Sequence, residues 1–118
     1  MTERRIVWMG DSKKSLLGMP SEVKSAVGYA LSEAQSGRKA GYAKPLSGVG
    51  SGVLEIVVDH NTDTYRAVYA VKIGEDLYVL HVFKKKSTKG IKTPRGDQEV
   101  INSRLKQAKR MASQKGGK

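Results

Sequence analysis

The sequence has no cysteine, one tryptophan, one phenylalanine and three prolines among 118 residues. Without thiols there is no disulfide framework, no thiolate metal site, no redox couple and no cysteine nucleophile. Histidine is nearly as scarce. His60 and His81 alone make a poor zinc set, so no metal and no other cofactor is expected. Long apolar runs are also missing: none approaches the roughly 20 residues of a membrane span. The opening Met-Thr-Glu-Arg-Arg lacks the apolar stretch of a secretory signal, so a cytoplasmic protein is expected. There is no Gly-x-Ser-x-Gly elbow and no phosphate loop ending in Lys-Ser/Thr. The run Gly48-Val49-Gly50-Ser51-Gly52 has the wrong spacing and precedes a strand, so it reads as a flexible connection.

Acidic residues are the other deficit, 11 against 22 Lys and Arg, for a net charge of +11. The imbalance is local. Residues 1–83 hold ten basic and nine acidic side chains, whereas residues 84–118 hold twelve basic side chains against Asp97 and Glu99, a net of +10. A block of that density is the electrostatic footprint of a polyanion binder; the plainer alternative is a solubilising basic tail. At 38% hydrophobic residues the chain suffices for one two-layer core, and two full domains are excluded by length. One domain over 1–112 is expected, with 113–118 as a frayed basic tail.

Ile6-Val7-Trp8-Met9, closed by Gly10-Asp11-Ser12, reads as a first strand and a turn or cap, with a short helix from Ser12 to Met19. Pro20 suits the first position of a second helix, in which Val23, Ala26, Val27, Ala30, Leu31 and Ala34 line one face until Gly37 stops it. Residues 38–52 read as loop. Three strands follow: Val53–Val58, then Thr64–Val71 after a polar turn at Asp59–Asp63, then the apolar Leu77–Phe83, expected to be central and covered on both faces. After a basic loop at 84–96, Asp97 or Thr93 caps a last helix carrying Val100, Ile101, Leu105, Ala108 and Ala112 along one side. The expected fold is α+β: an antiparallel sheet of about four strands, two N-terminal helices and one C-terminal helix, all packed on one sheet face.

Strand parity then assigns faces. Arg66 and Glu55 point away from the second helix. Extending the last strand to Lys86 divides it into Leu80, Val82, Lys84, Lys86 and Leu77, Val79, His81, Phe83, Lys85. If the second set meets the helices, Lys84 and Lys86 join Arg66 and Glu55 on an open basic face; a single bulge would substitute His81 and Lys85. The plainer alternatives are an Arg66–Glu55 cross-strand pair with solvated lysines, a packed His81 and a solvated His60.

Lys44-Pro45-Leu46-Ser47-Gly48, Leu54-Glu55-Ile56, Tyr65-Arg66-Ala67-Val68-Tyr69, and Leu80-His81-Val82-Phe83-Lys84-Lys85-Lys86 with Thr93-Pro94 resemble the RelE/ParE toxin superfamily, most closely its HigB-like, phage-related branch. The resemblance spans nearly the whole chain. It implies a RelE-like fold and a toxin of a type II toxin–antitoxin pair: a metal-independent, ribosome-dependent mRNA endonuclease that inhibits translation, with a cognate helix-turn-helix antitoxin and no membrane partner. ParE-like members instead poison DNA gyrase, which makes a non-catalytic toxin or a phage-derived basic binding protein the alternative. Residue by residue, Arg66 matches the strand arginine of RelE-type sites and Lys86 the position of a second arginine, both stabilising phosphate charge. Glu55 and Val57 stand where two lysines are usual, and no tyrosine follows Lys86. The usual lysine base is therefore missing, leaving Glu55 or His81 as candidate bases. The expected RNA-binding set is Lys44, Lys84, Lys85, Lys89, Lys92, Arg95, Lys106 and Lys109.

Overall fold

A computed structural model describes residues 3–86 and 93–116. Its elements are β1 (Ile6–Trp8), α1 (Ser12–Leu17), α2 (Ser21–Gln35), β2 (Ala43–Pro45), β3 (Val53–His60), β4 (Asp63–Ala70), β5 (Leu77–Lys86) and α3 (Arg95–Gly116). The class is α+β, as the order of apolar periods implies, with a sheet in the order β1-β5-β4-β3-β2.

Two sheet features exceed the expectation of about four antiparallel strands. β1 joins the far edge parallel to β5, pairing Ile6 with Leu77 and Trp8 with Val79, so the sheet is mixed. Residues 38–52 are not all loop, because Ala43–Pro45 pairs antiparallel with β3 as a fifth strand. An edge strand bonds on one side only, which is why Pro45 is tolerated there. The β3–β4 hairpin closes through two residues, Asn61 and Thr62, at φ of 49° and 66°, the left-handed pair that suits the twist of a tight hairpin.

α2 buries Val23, Val27, Ala30, Leu31 and Ala34, the stripe that its spacing requires. Pro20 sits one residue earlier than expected: it is the cap, with ψ 150°, and the helix starts at Ser21. Gly37, at φ 85°, ends the helix by donating its N–H to the Ala34 carbonyl.

The helices do not share one face of the sheet, as expected, but occupy both. Leu16 of α1 and the α2 stripe pack with Ile56, Tyr65, Ala67, Tyr69, Leu77, Val79 and Val82. Ile101, Leu105 and Ala108 of α3 pack with Val53, Val68, Ala70, Tyr78, Leu80 and Phe83 on the opposite side. β5 is thereby covered on both faces, and Leu77 to Leu80 are each 2% exposed or less. A strand apolar on both sides needs two covering layers, so the composition of β5 itself demands the second cover. No helix among the described residues is long and apolar enough to cross a membrane.

Candidate functional site

The side chains nominated from the sequence depend on one local irregularity. In the β4–β5 ladder Tyr69 pairs with Val79 but Val68 pairs with His81, leaving Leu80 as an extra residue. A bulge of this kind reverses the facing of everything beyond it. Leu80 and Phe83 pack on the α3 side, and His81, opposite Val68, and Lys85, opposite Thr64, fall on that side too. Val82 joins the α2-side core, and Lys84, opposite Tyr65, follows it. The expected quartet of Arg66, Glu55, Lys84 and Lys86 is therefore not assembled. Lys84 lies across the sheet, its Nζ 3.7 Å from Asp63. Lys86 pairs with Asp63 in the ladder, and its side chain lies outside the described residues.

The bulge is secured by a residue that sequence reasoning did not single out. Arg104 of α3 donates from Nη1 to the Leu80 carbonyl at 2.9 Å and from Nη2 to Asp11 Oδ1 at 3.1 Å. The bond and charge of Arg104 hold the Asp11 carboxyl below its ordinary 3.8. Gly10 makes room for this guanidinium: a Cβ there would stand 2.5 Å from Arg104 Cζ, and its φ of 52° is itself left-handed.

On the α3 side two hydrogen-bonded pairs result. Arg66 donates from Nη1 to Glu55 Oε1 at 2.6 Å, with side chains 7% and 8% exposed. This is the cross-strand alternative, in buried form: the two residues lie diagonally on β4 and β3, Glu55 being directly opposite Val68. His81 Nε2 stands 2.7 Å from Asp97 Oδ1, and the imidazole stacks on Phe83 with centroids 4.7 Å apart. Its Nδ1 is buried and has no hydrogen-bond partner among the described residues. A neutral imidazole donating Nε2–H to Asp97 satisfies both facts, since a bare lone pair is then all that Nδ1 buries. Asp97 is not the cap it was expected to be. The helix opens at Arg95, with Gln98 N–H bonded to the Pro94 carbonyl, so Asp97 sits inside the first turn, where its charge suits the helix dipole. Its place opposite His81 has no local sequence signal, because the pairing crosses the β5–α3 connection.

Lys44 pairs with Glu55 in the β2–β3 ladder, so one row across this face runs Lys44, Glu55, Val68, His81. Beside it a cleft of about 440 Å³ is lined by Lys44, Pro45, Leu46, Ser47, Glu55, Thr93 and Gln98. Of the expected RNA-binding residues, Lys44, Lys106 and Lys109 are exposed. Arg95 is exposed as well, next to Glu99 at 3.6 Å. Arg110 extends the α3 ridge, and Lys89 and Lys92 lie outside the described residues. No three His, Asp or Glu side chains gather as a metal site among the described residues.

No curated protein and no solved structure matches the chain significantly. A family match does exist over residues 14–106, described as "Phage derived protein Gp49-like (DUF891)". That stretch runs from α1 through the whole β2–β5 meander into α3, and so contains the bulge, both side-chain pairs and the cleft. The chain therefore belongs to the Gp49-like phage-derived family, a toxin-like family related to the RelE and HigB type.

Proposed function

We propose that this protein is the HigB-like toxin of a type II toxin–antitoxin pair and acts as an endoribonuclease on ribosome-bound mRNA. The carrying observation is that the titratable pair His81–Asp97 and the buried pair Arg66–Glu55 share one sheet face with Lys44, beside the exposed basic ridge of α3. That combination is suited to a polyanion whose backbone needs both anchoring and proton transfer. The RNA 2′-oxygen attacks the adjacent phosphorus, the P–O5′ bond breaks, and a 2′,3′-cyclic phosphate and a 5′-hydroxyl result. The His81–Asp97 pair takes the 2′-hydroxyl proton, Asp97 being its more exposed end, and solvent water protonates the departing 5′ oxygen. Arg66 supplies positive charge to the phosphorane, and Glu55 holds the guanidinium in place instead of acting as base; Lys86, beyond the bulge, is not counted with them. Lys44, Lys84, Lys85, Arg95, Lys106 and Lys109, with Lys89 and Lys92, bind ribosomal RNA and message. A cognate helix-turn-helix antitoxin neutralises the toxin and copurifies with it from the native operon.

One observation favours a second reading. Arg66 and Glu55 are buried and neutralise each other, as they would in a toxin that works by binding alone. Mapping mRNA ends after incubation with translating ribosomes separates the two. New ends support the nuclease; growth arrest without new ends refutes it.

A further inference from the structure

We infer that the cleft between β2 and the start of α3 is a nucleobase-reading subsite, in which Glu55 accepts a hydrogen bond from an exocyclic amino group. The inference rests on the proposed action on RNA and adds the specificity of one position. Its volume, about 440 Å³, falls within the roughly 300–1,000 Å³ of small-ligand sites and accommodates one unstacked nucleotide.

The chemistry of the lining decides what enters. Lys44 is exposed at the rim, while Ser47, Thr93 and Gln98 add neutral donors and acceptors. Glu55 is the anomaly: a buried carboxylate in a wall of a chain with net charge +11. Its Oε1 is committed to Arg66, and Arg66 is its only hydrogen-bond donor among the described residues. Oε2 is thus the oxygen left for a donor arriving through the cleft. A phosphate cannot be that visitor, because two anions would meet in a poorly solvated place. On a surface that otherwise attracts phosphates, a carboxylate marks where a base goes instead.

A carboxylate oxygen takes the amino group of cytosine, adenine or guanine, as acidic side chains accept from cytosine N4 in direct readout. Uracil has no amino group and presents carbonyl oxygens on both sides of its single N–H. Those lone pairs would oppose Oε2, so the cleft discriminates against uracil. With the base at Glu55, the phosphate end of the nucleotide lies toward Lys44 at the rim.

The test is amide chemical-shift mapping of the full chain titrated separately with CMP, AMP, GMP and UMP. The three amino-bearing nucleotides should shift Lys44, Ser47, Glu55 and Gln98, with UMP at least about tenfold weaker. Glu55→Gln keeps the acceptor for Arg66 but turns the cleft-facing oxygen into an NH₂ donor, so the ranking should invert in favour of UMP. Equal binding of all four nucleotides, or shifts confined to residues away from the cleft, would overturn the inference. If the variant does not fold, the wild-type ranking alone still decides. Failure here is separable from failure of the nuclease reading. Base discrimination without cleavage of ribosome-bound mRNA sinks only the nuclease, and cleavage without discrimination sinks only the subsite.

Discussion

The buried Arg66–Glu55 pair permits a double-mutant cycle that separates scaffold from chemistry. Both side chains are under a tenth exposed, and a 2.6 Å bond joins their charges inside the protein. Arg66→Met leaves a buried carboxylate without its counter-charge, and Glu55→Leu takes the carboxylate from a buried guanidinium; losing one partner of such a pair should cost about 3–5 kcal/mol. For a domain of this size total stability is of order 5–15 kcal/mol, so either single variant loses a large part of it. The double variant replaces two charges by apolar groups of similar bulk and should return to within about 1 kcal/mol of the parent, or exceed it. Urea unfolding followed by the fluorescence of Trp8, which packs against the α2-side core, reads all four corners of the cycle. Additive losses, or single variants costing under about 1 kcal/mol, would refute the claim that burial governs this pair. The folded double variant then answers a question that neither single variant can. If Arg66 charge acts at the scissile phosphate, cleavage falls by about 10²-fold or more with little change in ribosome affinity. Unchanged cleavage would reduce the pair to scaffold.

Lys106→Ala combined with Lys109→Ala should weaken ribosome binding and lower its salt slope by roughly one unit per lost phosphate contact, leaving cleavage at saturation intact; filter binding across a salt series measures this. Gly10→Ala should lower stability by about 1–3 kcal/mol, because the added Cβ collides with the Arg104 guanidinium at a left-handed φ; an unchanged melting temperature would contradict the packing described. Asp11 has its carboxyl depressed below 3.8 by Arg104, so its stabilising contribution is present above the unfolded value and lost as pH falls through the lower folded value. Asp11→Asn should accordingly reduce the urea midpoint near neutral pH and converge with the parent in strong acid.

The elements visible in the sequence are those held by local pattern. The α2 stripe repeats at helical spacing over four turns, and β3, β4 and β5 follow one another through short polar turns, so each strand lies beside its sequence neighbour. β2 escaped because three residues of an edge strand carry neither alternation nor length, and Pro45 argues against a strand unless the edge is known beforehand. The parallel pairing of β1 with β5 joins residues about 70 positions apart, and nothing local announces it. Placing α3 opposite α1 and α2 was open to inference: a strand apolar on both sides needs two covers, and both amphipathic helices were in view.

The candidate site was legible as a set of residues but not as an arrangement, and the reason lies in arithmetic. Facing along a strand is a parity count, so one extra residue converts every later assignment into its opposite. Leu80 is that residue, and no feature of Leu-Tyr-Val-Leu-His-Val marks it, since Leu, Val and Tyr suit either face of a doubly covered strand. What selects the bulge is Arg104, which bonds the Leu80 carbonyl from 24 positions away and is seated against Gly10 and Asp11 at the opposite end of the chain. Three distant segments thus settle whether His81 or Lys84 shares a face with Arg66. The same α3 that carries Arg104 also supplies Asp97 for His81 two turns earlier, so the element that fixes the facing of β5 also provides the partner for the side chain that this facing turns toward it. Register and site chemistry are set together by one helix.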